Sequence, residues 1–143
     1  MKHLYGKDVE RALGTQLRVY LCGNLQSSDA LSHIPTESYE IGISDYKTDT
    51  FEKAHIHTFN TEYNYVERGM IKIFLLNEKK EYLFRKGDLF VIEPNEPYVG
   101  KSRKGTRTIF SKVPGGNDKQ LVPMDDALLK WGSSWEAGYP EDQ

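Results

Sequence analysis

The chain has 143 residues, of which 38% are hydrophobic, and 19 Lys and Arg stand against 21 Asp and Glu. This length suits one domain with its own core, the net charge of −2 disfavours an ordinary nucleic-acid binder, and the single cysteine excludes an internal disulfide or a multi-thiolate zinc cluster. Because the N-terminal residues are charged and no apolar run approaches the roughly 20 residues of a spanning helix, we expect a soluble, cytoplasmic protein without a membrane partner.

The first 37 residues are weakly patterned and are interpreted as an N-terminal extension of the domain. Residues 7–13 are compatible with a short helical turn, and residues 17–21 with an extra strand. Neither segment carries a motif that points to chemistry. The sequence alone therefore assigns no role to this extension.

Residues 38–113 contain short β-like runs separated by turn residues, a rhythm typical of an antiparallel sandwich or barrel. We predict strands at residues 39–46, 54–57, 63–67, 70–76, 81–84, 89–92, 98–102 and 106–113. Glycine, asparagine or proline lies between most of them and favours tight turns. Strands with this spacing suit a closed barrel of two sheets, so we predict a single all-β domain spanning residues 1–143.

The strand-like pattern stops at Pro114, and the C-terminal segment, residues 114–143, is predicted to contain a loop and a short helix. Residues 123–131 have Asp125 and Asp126 in the first helical turn, and Gly132 follows as a stop signal. Trp131 and Trp135 are four positions apart, so they would share one face if the helix continued. That face is expected to close one end of the barrel, and the alternative is a platform on which a ligand stacks.

Two histidines carry the strongest chemical signal. His55 and His57 alternate along one strand, so their side chains point to the same side. Glu62 begins the next strand, and Gly69 ends it. A His-x-His pair alone is more often a surface feature, but two imidazoles and a carboxylate on neighbouring strands can converge on one ion. The set predicts a site for iron, manganese, nickel, cobalt or zinc.

The segment HIHTFNTEYNYVERG, residues 55–69, resembles the first motif of the cupin superfamily, HxHx4Ex6G. The segment GDLFVIEPNEPY, residues 87–98, is similar to the second motif. The resemblance covers residues 45–113 and implies a double-stranded β-helix, the jelly-roll barrel of cupins. It also implies one divalent or ferric ion of Fe, Mn, Ni or Zn held by His55, His57 and Glu62, and a homodimer formed through strands at one sheet edge.

Two positions depart from the cupin pattern. Asp49 stands where the first motif usually begins with glycine, which is a mild difference. Tyr98 stands where the second motif has its last metal-binding histidine. Three interpretations of Tyr98 stay open: a fourth metal ligand as phenolate, a protonated acid or hydrogen-bond donor to substrate, or an aromatic residue of the core.

Other candidate site residues surround this motif. Asn64 lies on the same strand face as Glu62 and is a candidate donor to substrate. Glu93, before a proline in the second motif, could act as a catalytic base. Arg103 and Arg107 lie in a cation-rich segment that could bind a phosphorylated substrate, although a solvated turn explains that segment more simply.

These features predict a metal-binding cupin enzyme that acts on a small oxygen-rich molecule such as a sugar, a sugar derivative or a keto acid. The ion would bind a carbonyl or hydroxyl pair, and Tyr98 or Glu93 would move the proton in an isomerase, epimerase or lyase step, or an oxygenase would use iron. The alternative is a non-catalytic cupin that binds a small molecule as a sensor or binding module, which the replaced histidine favours. A third interpretation is a structural cupin without metal.

Overall fold

Two facing β-sheets form the body of the protein in a computed structural model that describes residues 1–26 and 30–140. The first sheet has the order β2-β1-β3-β11-β6-β9 and contains β1 (Arg18–Gly23), β2 (Ile34–Pro35), β3 (Glu40–Asp45), β6 (Thr61–Arg68), β9 (Leu89–Ile92) and β11 (Arg107–Val113). The second has the order β12-β5-β10-β7-β8 and contains β5 (His55–His57), β7 (Met70–Leu75), β8 (Lys80–Arg85), β10 (Tyr98–Ser102) and β12 (Lys119–Leu121), with β4 (Thr50–Phe51) also paired to β10.

Every strand predicted between residues 39 and 113 is present, because alternation of apolar and polar residues marks strands with one buried face. The strand predicted at residues 17–21 is also present as β1. It lies between β2 and β3, so the first sheet extends into the segment interpreted as an N-terminal extension. The prediction missed β2, β4 and β12, which are two or three residues long and too short to show a period.

The facing sides of the sheets carry the apolar core. Asn64 and Val66 face inward on β6, whereas Tyr63 and Tyr65 are 42% and 43% exposed, so the predicted parity of this strand is confirmed. The buried residues of the core between the sheets come from both sheets and are Val66, Ile71, Ile73, Phe90, Ile92 and Tyr98. Burying these side chains removes apolar surface from water, which is the main stabilising contribution to such a sandwich.

The C-terminal helix α2 (Asp126–Gly132) packs on the outer side of the second sheet. Its first turn is capped by Asp125, whose side chain accepts a 2.8 Å hydrogen bond from the backbone N–H of Leu128. Trp131 is fully buried against the strands. The helix ends at Gly132, where a Cβ would overlap the ring of Phe51.

Because α2 ends at Gly132, the helix does not continue to Trp135, and the condition for a common face of the two tryptophans is not met. Trp135 lies beyond the end of α2, and its ring is contacted by the Lys72 ammonium at 4.7 Å from the ring centroid. The segment after the helix is held by Lys101, whose Nζ donates to the carbonyl oxygens of Trp131 at 2.7 Å, Ser134 at 3.0 Å and Ala137 at 2.8 Å. This ammonium satisfies carbonyl groups that the end of a helix leaves without partners.

A second helix, α1 (Gly6–Leu13), covers the other sheet. Its Ala12 and Leu13 are buried with Val19 of β1. Neither helix of the described residues has the length and apolar character needed to cross a bilayer.

Candidate functional site

The two histidines of β5 are buried on the same side of the strand, as predicted, with 4% and 2% of their surfaces exposed. His55 Nδ1 lies 2.9 Å from the carbonyl oxygen of Lys53, and His57 Nδ1 lies 2.7 Å from Oδ1 of Asp118. A carbonyl oxygen only accepts, so Nδ1 of His55 carries the hydrogen and its Nε2 has a free lone pair when the ring is neutral. Burial lowers the pKa of His55, which favours that neutral form.

Asp118 is the residue that orients His57, and it lies immediately before β12. Its Oδ2 accepts hydrogen bonds from the backbone N–H groups of Phe59 at 2.9 Å and Asn60 at 2.8 Å. Its Oδ1 accepts from Nδ2 of Asn60 at 2.7 Å as well as from His57. Burial alone would raise the pKa of Asp118, but the backbone donors and His57 outweigh it, so the pKa is lowered and the group is a carboxylate.

Sequence reasoning missed Asp118. The only local signal was its place in a glycine-rich loop, and nothing in that loop pointed to a histidine 61 positions earlier. The pairing of β12 with β5, in which Lys119 lies opposite His57, brings the carboxylate to the imidazole.

Tyr98 of β10 lies opposite His55 of β5 in the strand register. Its hydroxyl contacts the predicted ligands His55 on β5 and Glu62 on β6. Its hydroxyl donates a 2.5 Å hydrogen bond to Oε2 of Glu62 and lies 3.0 Å from Nε2 of His55. Burial raises the pKa of Tyr98 well above its usual range, and the negative charge of Glu62 raises it further. The structure therefore presents Tyr98 as a protonated hydrogen-bond donor, with one hydroxyl hydrogen between two acceptors.

The donor atoms have the chemistry of a transition-metal site. Oε2 of Glu62 lies 4.0 Å from Nε2 of His57, and Tyr98 Oη is 3.0 Å from His55 and 2.5 Å from Glu62. Ligands of one ion, bound at about 2.0–2.2 Å, are themselves separated by roughly 3–4 Å. Histidine ligands also commonly have Nδ1–H held by a carbonyl or carboxylate, as both imidazoles have here.

The four groups are nevertheless not a closed metal site as they stand. Within residues 1–26 and 30–140, no three His, Cys, Asp or Glu side chains are set to hold an ion. The hydroxyl of Tyr98 lies among the donor atoms instead. The donor types of His55, His57 and Glu62 and the anchoring of both imidazoles suit a transition-metal ion, whereas the Tyr98 hydroxyl is a protonated hydrogen-bond donor to Glu62 in this arrangement.

A narrow cavity between the two sheets meets this group at Glu62 and Tyr98, whereas His55 and His57 are not among its lining residues. Glu62, Tyr98 and Asn64 line it, so the structure brings the predicted Asn64 to the same cavity as the carboxylate and the phenol. Apolar walls come from both sheets and are Ile71, Ile73, Phe90 and Phe110.

Glu93, predicted as a catalytic base, is not brought to this cavity. It follows the last residue of β9, is exposed to solvent and is not among the residues that line the cavity. Tyr98 is the candidate proton donor that the structure retains.

Arg103 and Arg107, predicted to bind substrate, also lie outside the cavity. Arg103 lies in the turn between β10 and β11, and its Nη1 is 3.4 Å from Oδ2 of Asp49. The guanidinium of Arg107 donates to Glu10 at 2.6 and 2.9 Å and to Asp45 at 2.7 Å. The guanidinium of Arg107 is thus held by two carboxylates, whereas Arg103 makes only long, exposed contacts outside the cavity.

Two cations that the sequence interpretation did not consider line the cavity instead: Arg18 of β1 and Lys112 of β11. Lys112 lies two residues after Phe110 on β11, so the two side chains share a face, and this spacing could have predicted Lys112 at the cavity. Arg18 had no such signal, because it lies at the start of a strand in a weakly patterned segment.

Comparisons with known proteins support the architecture. No protein-family profile matches the sequence, and no curated protein matches it. A crystal structure of an uncharacterised conserved protein with a double-stranded β-helix domain from Klebsiella pneumoniae has a TM-score of 0.54 and 15% sequence identity, covering 62% of this chain and 78% of that one.

Two structures of enzymes are similar as well. Pac13 from Streptomyces, a nucleoside dehydratase, has a TM-score of 0.54 and 15% identity, covering 62% of this chain and 72% of that one. A structure of the DMSP lyases RdDddP and RnDddQII has a TM-score of 0.59 and 17% identity, covering 74% of this chain and 52% of that one. The two facing sheets and these likenesses together identify the fold of this chain as a double-stranded β-helix, the fold that the resemblance of its sequence motifs predicted.

Proposed function

We propose that this protein is a small-molecule enzyme of the lyase or isomerase type whose reacting centre is formed by Tyr98, Glu62 and the two histidines of β5. The observation that carries the proposal is the position of the Tyr98 hydroxyl, in contact with Glu62 at 2.5 Å and His55 at 3.0 Å. A buried hydroxyl whose hydrogen faces two acceptors, at the end of a cavity, is suited to proton transfer.

We further propose that His55, His57 and Glu62 hold one divalent transition-metal ion. The anchoring of both Nδ1 atoms and the N, N, O donor set support this assignment. The ion would polarise a carbonyl or hydroxyl oxygen of the substrate. Imidazole and carboxylate ligands suit iron, manganese, nickel and zinc alike, so the proposal does not name the element.

The roles of the surrounding side chains follow from their positions. Tyr98 Oη would donate a hydrogen bond to a substrate oxygen on which negative charge develops, and Asn64 would donate a second hydrogen bond to the substrate within the cavity. Asp118 keeps His57 in one orientation. Two neighbours of similar fold are named for dehydration and lyase reactions, which supports an elimination or isomerisation by fold analogy.

Elemental analysis of the protein, purified without an affinity tag or chelator, tests the metal site. We expect about one equivalent of a transition metal, which falls sharply in Glu62→Gln and in the double variant His55→Ala, His57→Ala. Glu93→Gln is the matched control, because Glu93 is an exposed carboxylate outside the cavity. Retention of metal by the double-histidine variant would overturn the assignment of these ligands.

A further inference from the structure

The cations that line the cavity are already paired with carboxylates. Arg18 donates through Nη2 to Oε1 of Glu52 at 3.2 Å, and Nζ of Lys112 lies 3.6 Å from Oε2 of Glu40. Each positive charge of the cavity wall therefore has a negative charge beside it. Neither cation requires an anionic ligand.

The proposed metal ion leaves this balance unchanged. Its two positive charges would be offset by the carboxylate of Glu62 and by that of Asp118, which holds His57. An anion in the cavity would also face the negative charges of Glu52 and Glu62, which both line it. The charges around the cavity thus favour an uncharged ligand.

Two uncharged polar side chains of the cavity wall lack a partner. Within residues 1–26 and 30–140, the side chains of Asn64 and Thr108 make no hydrogen bond to another protein group, although both line the cavity. Thr108 is only 3% exposed, so a partner for its hydroxyl has to come from the cavity. Leaving a buried polar group without a partner is unfavourable, and a ligand that pairs with it gains affinity.

The chemistry of these groups matches hydroxyl groups of a ligand. The hydroxyl of Thr108 and the carboxamide of Asn64 each contain a donor and an acceptor, as a ligand hydroxyl does. Ser44 also lines the cavity, and because its Oγ accepts from Nε of Arg18 at 2.9 Å, its own hydrogen is left to donate. The facing wall is apolar at Ile71 and Ile73 and can pack against C–H groups of the same ligand.

Asn64 and Thr108 are placed to hold a ligand whose end lies at the proposed reacting centre. Asn64 is two residues after Glu62 on the same face of β6, a spacing of about 7 Å along the strand. Thr108 follows diagonally on β11, because its register partner Val66 comes two residues after Asn64. Uncharged polar groups therefore continue along the first sheet from Glu62 and Tyr98.

We infer that the substrate is an uncharged molecule with several hydroxyl groups, which Asn64 and Thr108 bind while its reacting end lies at Tyr98 and Glu62. The observation that carries the inference is the unpartnered, buried hydroxyl of Thr108 in a cavity whose cations are already paired. Phosphate esters and sugar acids are disfavoured by their charge. The inference rests on the proposed function and names the substrate class of the same site.

Calorimetric titration of the protein, purified with its metal, with three five-carbon probes tests this inference. Xylitol is uncharged and rich in hydroxyl groups, 1,5-pentanediol has hydroxyl groups only at its ends, and xylitol 5-phosphate is anionic. We expect xylitol to bind most tightly, because it alone supplies partners for both side chains without adding a charge. Equal or tighter binding of either comparison probe, or the absence of saturable xylitol binding at tens of millimolar, would overturn the inference.

Variants of the two side chains test the site itself. Thr108→Val removes the hydroxyl but keeps the shape of the side chain, and it should weaken xylitol binding about three- to tenfold, whereas Thr108→Ser should bind as the parent protein does. Ser111→Ala is the matched control, because Ser111 of β11 pairs with the exposed Tyr63 on the outer face and should leave the affinity unchanged. Asn64→Leu gives an independent readout on the neighbouring strand if Thr108→Val fails to fold.

Metal content measured on the same samples separates the two proposals. A protein that lacks metal but binds xylitol through Thr108 contradicts the proposed metal site alone. A protein that holds metal at His55, His57 and Glu62 but binds xylitol equally well after Thr108→Val and after Asn64→Leu contradicts the inferred substrate class alone.

Discussion

Asp118 holds His57 through a 2.7 Å contact between its Oδ1 and Nδ1 of the imidazole, across 61 positions of sequence. The carboxylate is itself fixed by two backbone N–H groups of the loop that follows β5. The strand that carries His57 and the strand that follows Asp118 are thus joined at the proposed metal site.

This contact predicts that Asp118→Asn weakens metal binding by about ten- to a hundredfold. An asparagine cannot present acceptor oxygens both to His57 and to the two backbone donors, so the ring loses its fixed orientation. Competition with a chromophoric chelator measures the affinity, and Asp126→Asn in the exposed first turn of α2 is the control. An unchanged affinity in Asp118→Asn would show that metal binding does not depend on the contact between Asp118 and His57.

Tyr98→Phe separates two roles of the phenol. If Tyr98 stays protonated, as its raised pKa indicates, and acts as a donor to substrate, the variant retains its metal but turns over substrate about a hundred- to ten-thousandfold more slowly. If the hydroxyl is a ligand, metal is lost as well. Metal content and turnover of Tyr98→Phe should be compared with those of Tyr65→Phe, whose side chain is exposed on the outer face of the same barrel.

Asp45 predicts an acid dependence of stability. Burial alone would raise the pKa of this carboxyl, but hydrogen bonds from Arg107 and Lys47 outweigh it and lower the pKa. Because the pKa is lower in the folded protein, the stabilisation is complete above the unfolded value of about 3.9 and is lost as pH falls below it.

We therefore expect Asp45→Asn to lower the free energy of unfolding by about 2 kcal/mol at pH 7, because it leaves Arg107 and Arg68 without their buried acceptor. The difference from the parent protein should shrink at acidic pH. Urea unfolding at several pH values measures it, with Asp8→Asn in α1 as a control. A difference that is the same at pH 7 and in acid would contradict the linkage.

Lys101 predicts a local effect at the C-terminus. Lys101→Met removes the ammonium that donates to three carbonyl oxygens after α2, so these buried acceptors lose their partner. We expect faster amide hydrogen exchange in residues 131–140, with little change in β6 or β9. Lys104→Met, in the exposed turn after β10, provides the comparison, and equal exchange in the two variants would contradict the role of Lys101.

We expect the homodimer to form through the exposed outer face at β9. This strand is the edge of the first sheet, and its Leu89 and Val91 are 59% and 40% exposed beside Tyr63 and Tyr65 of β6. An unpaired edge with exposed apolar side chains favours association with a second copy. We expect a dimer by light scattering and a monomer after Val91→Lys. A monomeric parent protein would contradict this expectation.

The sequence by itself determined features that depend on local periodicity. Alternation along β5 and β6 was sufficient to place His55 and His57 on one side and to direct Glu62 and Asn64 inward. The same period predicted the strands between residues 39 and 113. These properties depend on local sequence alone, because successive side chains of a strand point to opposite faces and only one face is buried.

Only the tertiary structure decided which distant groups meet. The pairing of β12 with β5 brings Asp118 to His57, and the pairing of β1 with β3 places Arg18 at the cavity. Arg107 is instead held by Asp45 and Glu10, so it cannot serve the cavity as its cation-rich segment suggested. Strand alternation specifies the face on which a side chain lies but not the neighbour of that strand, which depends on pairing between strands that are distant in sequence.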